Sequence, residues 1–448
     1  MKIFIALVLM AFSLHADISI QNAWQNVLTK NDALKASQAD IRHASLKKDS
    51  AEGMYLPSVS LTGSYTHLND PIGMDISAIS SRVNPLLAAL GGSAIPSEID
   101  FLDQDIALVD LQVLYPLYMG GKIDAAQDAY AGKLAESQAM HRIETDKTFL
   151  LLVKYYYGVV MTEALHTTRV ESQKALQLHY DHARKLKQEG QISKAELLNA
   201  QVKLDIAKIE STKAAHKVNI VTSAFNKMIK SKQTPKSSLF ISKKLGSEYK
   251  YTQQSTEHYA AIDALNAKSK QAAAMIAVEE AAWYPEVLGY ANMNLHKGNS
   301  PLEELAPSWM VGVGVKFDLF SRKDRAKEIE AAKVMHAKVA SLKAQAQEDL
   351  GLAVQKTYNE ILLYKDEFHS LSSSLALARE NYKLRSLAFK EGLSTSVEVV
   401  DAQMLLGGAK TQRLNAAYNY VKKLAELCVL SGNRDPFFKF EQSSKGLK

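Results

Sequence analysis

Apolar and polar residues alternate one by one over short stretches of this chain, and a period of two marks strands. In VSLTGSYTH, Val59, Leu61, Gly63 and Tyr65 alternate with Ser60, Thr62, Ser64 and Thr66. In WMVGVGVKFDLF, Trp309, Val311, Val313, Val315, Phe317 and Leu319 take one face, and Met310, Gly312, Gly314, Lys316 and Asp318 take the other. Looser alternation runs from Ala107 to Tyr115 and from Val287 to Leu295. The predicted strands span about 57–66, 106–117, 285–295 and 309–320. Runs of about 10 residues are what a tilted strand needs to cross a hydrocarbon core. Tyr115, Tyr118, Trp309, Phe317 and Phe320 sit toward the run ends, where membrane barrels carry aromatic belts. A half-buried strand of a soluble sandwich alternates in the same way, so the strands alone leave both readings open.

After each strand pair the pattern changes. From Gly121 to Glu189 there is no Pro and only two interior Gly, and from about 321 to 391 there is again no Pro. The predicted helices, about 120–189 and 321–391, each rise roughly 100 Å at 1.5 Å per residue, several times a globular average. In the second, Leu350, Val354, Thr357, Ile361, Tyr364, Phe368, Leu371, Leu375, Ala378 and Tyr382 step by 4, 3, 4, 3. That 3.5-residue period asks for a supercoiled partner helix. Shorter helices are predicted before the first strands, about 18–55 and 256–283, and after the turns, about 193–230 and 395–431. Two short helices end to end match one long one, which predicts a helical layer of uniform height with a belt around the joint.

The chain is written twice. YPLYMGGK at 115–122 corresponds to FDLFSRKD at 317–324, and KQEGQISKAELLNAQ at 187–201 to KEGLSTSVEVVDAQ at 390–403. Tyr115 to Phe317 and Gly190 to Gly392 share one displacement, 202 residues (317 − 115 and 392 − 190). Pro57 and Pro285 differ by 228, so 26 extra residues sit in the first-half loop. Each half reads helix, strand, loop, strand, long helix, turn, helix. The predicted division is a signal peptide at 1–16, a first repeat at 17–230, an equatorial linker at 231–255, a second repeat at 256–431 and a C-terminal equatorial tail at 432–448.

Four strands cannot close a barrel, and open edges in lipid cost several kcal/mol for each unpaired backbone group. Closure must be shared, and three copies supply twelve strands, within the range of outer-membrane barrels, with helices following the same symmetry. The expected fold is therefore an α+β membrane protein built from a duplicated unit. As a trimer it shares a 12-stranded transmembrane β-barrel and a long α-helical barrel.

The duplication, the Leu-Pro at 56–57 and Tyr-Pro at 284–285, the Pro-Leu-x-x-Gly-Gly turn at 116–121 and the Gly-containing hairpin tips resemble the TolC-like outer-membrane efflux family. The resemblance covers essentially all of the chain after the signal region, and its specificity lies in the order and spacing of short motifs in two copies. It implies a homotrimer in outer-membrane lipid, with the helical barrel in the periplasm. It also implies hairpin tips that meet a periplasmic adaptor (membrane fusion) protein coupled to an inner-membrane pump. Here those tips are Glu189, Gly190, Gln191, Ile192 and Ser193, and Glu391, Gly392, Leu393, Ser394 and Thr395. The family's acidic constriction falls on Glu398 and Asp401, with Glu196 and Asn199 at the first-repeat positions. An i, i+3 pair shares one helix face, so a threefold pore would gather six carboxylates that favour cations; an ordinary solvated face is the plain alternative. Three departures stand out. Phe389 lacks the hydroxyl and Ser394 the charge with which relatives hold the closed state, and Ser321–Arg322 replaces a Gly pair.

Composition narrows the classes. The 448 residues are 47% hydrophobic, and a net charge of +6 is spread over 54 basic and 48 acidic residues with no basic block, so nucleic acid is not an expected partner. MKIFIALVLMAFSLHA has the basic start and short apolar core of a secretory signal, with cleavage expected after Ala16. No later stretch reaches the ~18 apolar residues of a transmembrane helix. Cys428 stands alone and is expected to pack as a small buried hydrophobe. No HExxH, GxSxG, P-loop or Cys/His cluster occurs, so neither catalysis nor a cofactor is expected, and transport energy must come from a partner. The long 67–105 segment, with apolar VNPLLAALGG at 83–92, is expected to fold a short helix over the barrel mouth. Deleting 78–98 should then raise small-solute permeability, and unchanged permeability would reject the lid. The expected function is a trimeric exit duct of a tripartite efflux or type I secretion system. The rival is a periplasmic coiled-coil adaptor or scaffold, which would wash off membranes with salt or urea.

Overall fold

The computed structural model describes residues 17–242, 244–296 and 307–444, so the predicted signal peptide at 1–16 and the last four residues of the predicted tail lie outside the described residues. The elements are β1 (Asp17–Ile18), α1 (Ile20–Lys30), α2 (Asp32–Glu52), β2 (Ser58–His67), β3 (Ile72–Asp75), α3 (Ser77–Ala89), β4 (Glu98–Leu102), β5 (Asp105–Tyr118) and α4 (Lys122–Gln188). They continue as α5 (Lys194–Ile229), β6 (Thr234–Pro235), α6 (Glu248–His258), α7 (Ala260–Glu280), β7 (Glu286–His296), β8 (Trp309–Lys316), α8 (Arg325–Lys390), α9 (Ser396–Leu430) and α10 (Asp435–Ser443). No helix of the described residues is long and apolar enough to cross a membrane.

One compact unit joins His43–Leu134 to Ala267–Ala340. Its centre is an antiparallel sheet in the order β2-β5-β7-β8. Register decides which residues share a face, because side chains alternate along each strand. Val59 lies opposite Val113, Val113 opposite Ala291, and Ala291 opposite Val311. The next row joins Leu61, Leu111, Met293 and Trp309. The other face takes Ser60, Gln112, Asn292 and Met310, then Thr62, Asp110 and Asn294. One face is thus apolar across all four strands, and the other carries most of the polar side chains. Nothing among the described residues covers the apolar face: Val59, Leu61, Tyr65, Trp309, Val311, Val313 and Val315 are 64–71% exposed. Gly312 leaves room for a neighbour, since a Cβ there would stand 2.6 Å from the Tyr290 hydroxyl.

Several boundaries differ from those the sequence pattern predicts, three of them for a clear local reason. β8 stops at Lys316 rather than 320; alternation continues to Leu319, but the ladder ends at the Glu286–Lys316 pair. The helix read over 18–55 is interrupted at Asn31, whose Oδ1 accepts from the N–H of Ala33 at 2.9 Å and of Leu34 at 3.2 Å and so starts a new helix. The 67–105 segment holds α3, but also a β3–β4 hairpin that the pattern did not suggest. Asn84 of α3 pins the returning chain through both the N–H (2.7 Å) and the C=O (2.9 Å) of Ile95.

The second compact unit combines Met1–Arg42, Ala135–Asn266 and Ser341–Lys448, as far as they are described. Its core is aromatic. Phe149 meets Trp24, Phe437 and Phe438 edge-on at 5.3, 5.6 and 5.8 Å. Buried heptad residues Leu350, Val354, Ile361 and Phe368 of α8 pack into the same cluster. Cys428 is buried there, and desolvation pushes its thiol up to about 12. Within 231–255, β6 pairs in parallel with β1, and the Tyr156 hydroxyl donates to the Ile18 carbonyl at 2.9 Å.

Candidate functional site

Both hairpin tips are made by the same local chemistry. At the end of α4, Gln191 N–H bonds Leu186 O at 2.8 Å and Gly190 N–H bonds Lys187 O at 3.1 Å. At the end of α8, Leu393 N–H bonds Ala388 O at 2.8 Å and Gly392 N–H bonds Phe389 O at 3.1 Å. This bond pair closes a helix only if the next residue turns left-handed, and Gly190 and Gly392 have φ of 77° and 73°. The returning helices then start on capping boxes. Ser193 Oγ accepts from Glu196 N–H at 3.2 Å while Ser193 N–H bonds Glu196 Oε2 at 3.2 Å. Thr395 Oγ1 accepts from Glu398 N–H at 3.3 Å while Thr395 N–H bonds Glu398 Oε2 at 3.0 Å.

Two of the three expected gate carboxylates are therefore helix-cap residues as well. Glu398 is engaged further, by the Ser394 hydroxyl at 2.5 Å and by Arg385 at 3.3 Å. The Ser394 bond first, then the Thr395 N–H, holds its carboxyl below the usual glutamate range. Asp401, one turn on, is exposed and makes no ion pair among the described residues. The i, i+3 placement on α9 stands, but the two acids differ in freedom. Among the described residues Glu196 makes only its cap bonds. The tip residues Glu189, Gly190, Gln191 and Ser193 and Glu391, Gly392, Leu393 and Thr395 are exposed, while Ile192 and Ser394 are half-buried.

The two hairpins are tied together around Phe389, one of the departures from the family pattern, and His179. Phe389 is 3% exposed and packs with Ala183, Ala200 and Val399. The His179 ring lies 4.6 Å from it, and His179 Nε2 shares a 2.7 Å hydrogen bond with Ser396 Oγ. Phe389 thus acts through packing where a hydroxyl is missing. A lone histidine on a long helix gave no signal; its one clue is that Phe389 needed a partner. Higher up, Gln403 donates to Ser172 at 3.1 Å beside a 340 Å³ groove between α4, α5 and α9.

Burial, and secondarily the nearby His182, lowers His179 to about 4 from 6.5. The sign follows from linkage: a folded value below the unfolded one means tip packing is at full strength above about 6.5 and weakens as pH falls toward 4. Amide hydrogen exchange at 179–183 and 396–400, corrected for intrinsic rates, should therefore accelerate on acidification in this window. His179→Gln should flatten that dependence; the same pH response in both would refute the assignment.

Residues 252–433, from α6 through the second tip and α9, match the family model described as outer membrane efflux protein. No curated protein matches the chain by sequence. Among solved structures, CusC, studied for transmembrane channel formation, superposes with a TM-score of 0.76 at 13% identity, covering 93% of this chain and 92% of its own. The outer membrane protein VceC of Vibrio cholerae gives 0.72 at 14% identity, covering 93% and 96%. The outer membrane channel CmeC of Campylobacter jejuni gives 0.73 at 14% identity, covering 95% and 90%. At such identities the likeness to these structures is one of fold.

Proposed function

From the match of residues 252–433 to the outer membrane efflux protein model, we infer that three copies form a passive exit duct through the outer membrane. Their four-stranded sheets close into one twelve-stranded barrel, β8 of each copy pairing with β2 of the next. Their helices form a periplasmic α-barrel whose tips meet an adaptor bound to an inner-membrane pump, in tripartite efflux or type I secretion. The chain conducts and catalyses nothing. The observation that carries this reading is the sheet: one continuous exposed apolar face, one polar face and two edges unpaired among the described residues. In water such a sheet would be a large sticky patch with open ladders. In lipid, with the edges joined, apolar residues face acyl chains, polar residues face the lumen and no backbone group is stranded. A soluble scaffold would leave that face uncovered.

In this reading Glu398 and Asp401 from three copies narrow the periplasmic entrance and favour cations. The double variant Glu398→Gln/Asp401→Asn separates charge from structure, because Gln can still close the capping box. In planar bilayers it should lose much of the cation preference while thermal stability changes by under about 1 kcal/mol. Unchanged ion selectivity would remove these residues from the gate.

A further inference from the structure

The two most exposed large apolar side chains of the described residues are neighbours, Phe320 at 96% and Leu319 at 88%. They lie in the turn between β8 and α8, and the exposed cations Arg322 and Lys323 follow them directly. Phe317 and Leu319 continue the sequence parity of Val311, Val313 and Val315 past the last ladder pair. It is also held in place. Lys323 N–H bonds Ser321 Oγ at 3.2 Å, and the Arg325 guanidinium donates to the Asp318 carbonyl. The same guanidinium stands 5.4 Å from the Trp283 ring centre and 5.9 Å from that of Phe317.

Local carboxylates are occupied elsewhere. Asp324 caps α8 through the N–H groups of Ala326 and Lys327 at 3.1 and 3.3 Å, and Asp318 stands 3.9 Å from Lys316. Arg322 makes no ion pair among the described residues, and Lys323 reaches only Glu328, at 3.8 Å. An apolar pair followed by two exposed cations, one without an ion pair among the described residues and one held only at 3.8 Å, matches the boundary between acyl chains and phosphates, where long basic side chains bury their stems and keep their charge among headgroups.

We propose that this turn is a phospholipid anchor: Leu319 and Phe320 enter the acyl boundary, and Arg322 and Lys323 bind the phosphates of anionic phospholipid at the rim of the barrel. The proposal rests on β8 crossing the membrane. It adds a ligand class, anionic over zwitterionic headgroups, and the residues that select it.

The test uses the full trimer in phosphatidylcholine vesicles, with brominated phosphatidylglycerol or brominated phosphatidylcholine quenching tryptophan fluorescence. In a Trp309→Phe background Trp283 reports on the turn, because Trp24 is buried in the core. Wild-type Arg322 and Lys323 should favour phosphatidylglycerol, and R322E/K323E should cut that preference by about tenfold or more. Each cation at an anionic surface contributes roughly 1 kcal/mol, and 1.4 kcal/mol is tenfold. R322K/K323R should keep the preference. A wild-type preference that survives in R322E/K323E, or is absent from the start, overturns the anchor. Urea extraction of the same vesicles separates the two ideas. Protein that resists urea but shows no preference sinks only the anchor, whereas protein that washes off sinks the membrane-crossing reading beneath it.

Discussion

Arginine at Val311 or Val313 should abolish insertion, leaving the chain aggregated or degraded in the periplasm, whereas arginine at Thr62 should insert normally. Both valines stand on the apolar face in β8, while Thr62 lies opposite Asp110 on the polar face. An arginine facing lipid near the bilayer midplane costs roughly 2–4 kcal/mol, and a threefold barrel carries three of them. The same arginine facing a water-filled lumen loses little hydration. The two faces of one sheet should therefore differ by roughly 6–12 kcal/mol per three-copy barrel for identical chemistry. Fractionation of urea-washed membranes reads this out. Equal insertion of V313R and T62R would mean that the apolar face does not meet lipid.

Phe389→Ala should open the tips without disturbing insertion. The ring is nearly fully buried in a small cluster against Ala183, Ala200 and Val399, with His179 beside it. Removing a buried phenylalanine costs about 3–5 kcal/mol, which is large against so small a cluster. Phe389→Leu keeps most of the volume and should cost under about 1.5 kcal/mol. The expected result is fast amide exchange at residues 180–200 and 386–400, together with entry of hydrophilic compounds that wild-type cells exclude. F389A cells as impermeable as wild type, with protected tip amides, would show that this cluster does not hold the tips.

Much of the fold was legible because two periods are written plainly. Alternation over 59–67 and 309–316 is the register of β2 and β8, and the 4, 3 stepping from Leu350 to Phe368 is the buried seam of α8. What escaped was set by single side chains or by local pairing. Asn31 ends a helix by bonding the next turn, and the β3–β4 hairpin pairs strands of 4 and 5 residues, whose alternation (Ile72 and Met74, Ile99 and Phe101) is too brief to stand out. Phe317 to Phe320 kept a strand's pattern because apolar exposure extends beyond the last ladder pair. At the site, the turns could be read from the glycines at one repeat displacement, whereas the carboxylates came only from the family resemblance, which reads them for charge alone. Ser193–Glu196 and Thr395–Glu398 also spell a capping box, a signal present in the sequence and missed. The contact of His179 with Ser396 joins residues 217 apart, which no local pattern encodes.

The central claim is that each chain supplies one third of a closed barrel. Cysteines placed on the two sheet edges, in β2 and in β8, test it in intact membranes, since Cys428 is buried and should not interfere. Oxidation should covalently join copies edge to edge, and complete cross-linking should give a closed species of three chains and nothing larger. Chains that stay uncrosslinked and leave the membrane in urea as single copies would contradict the account.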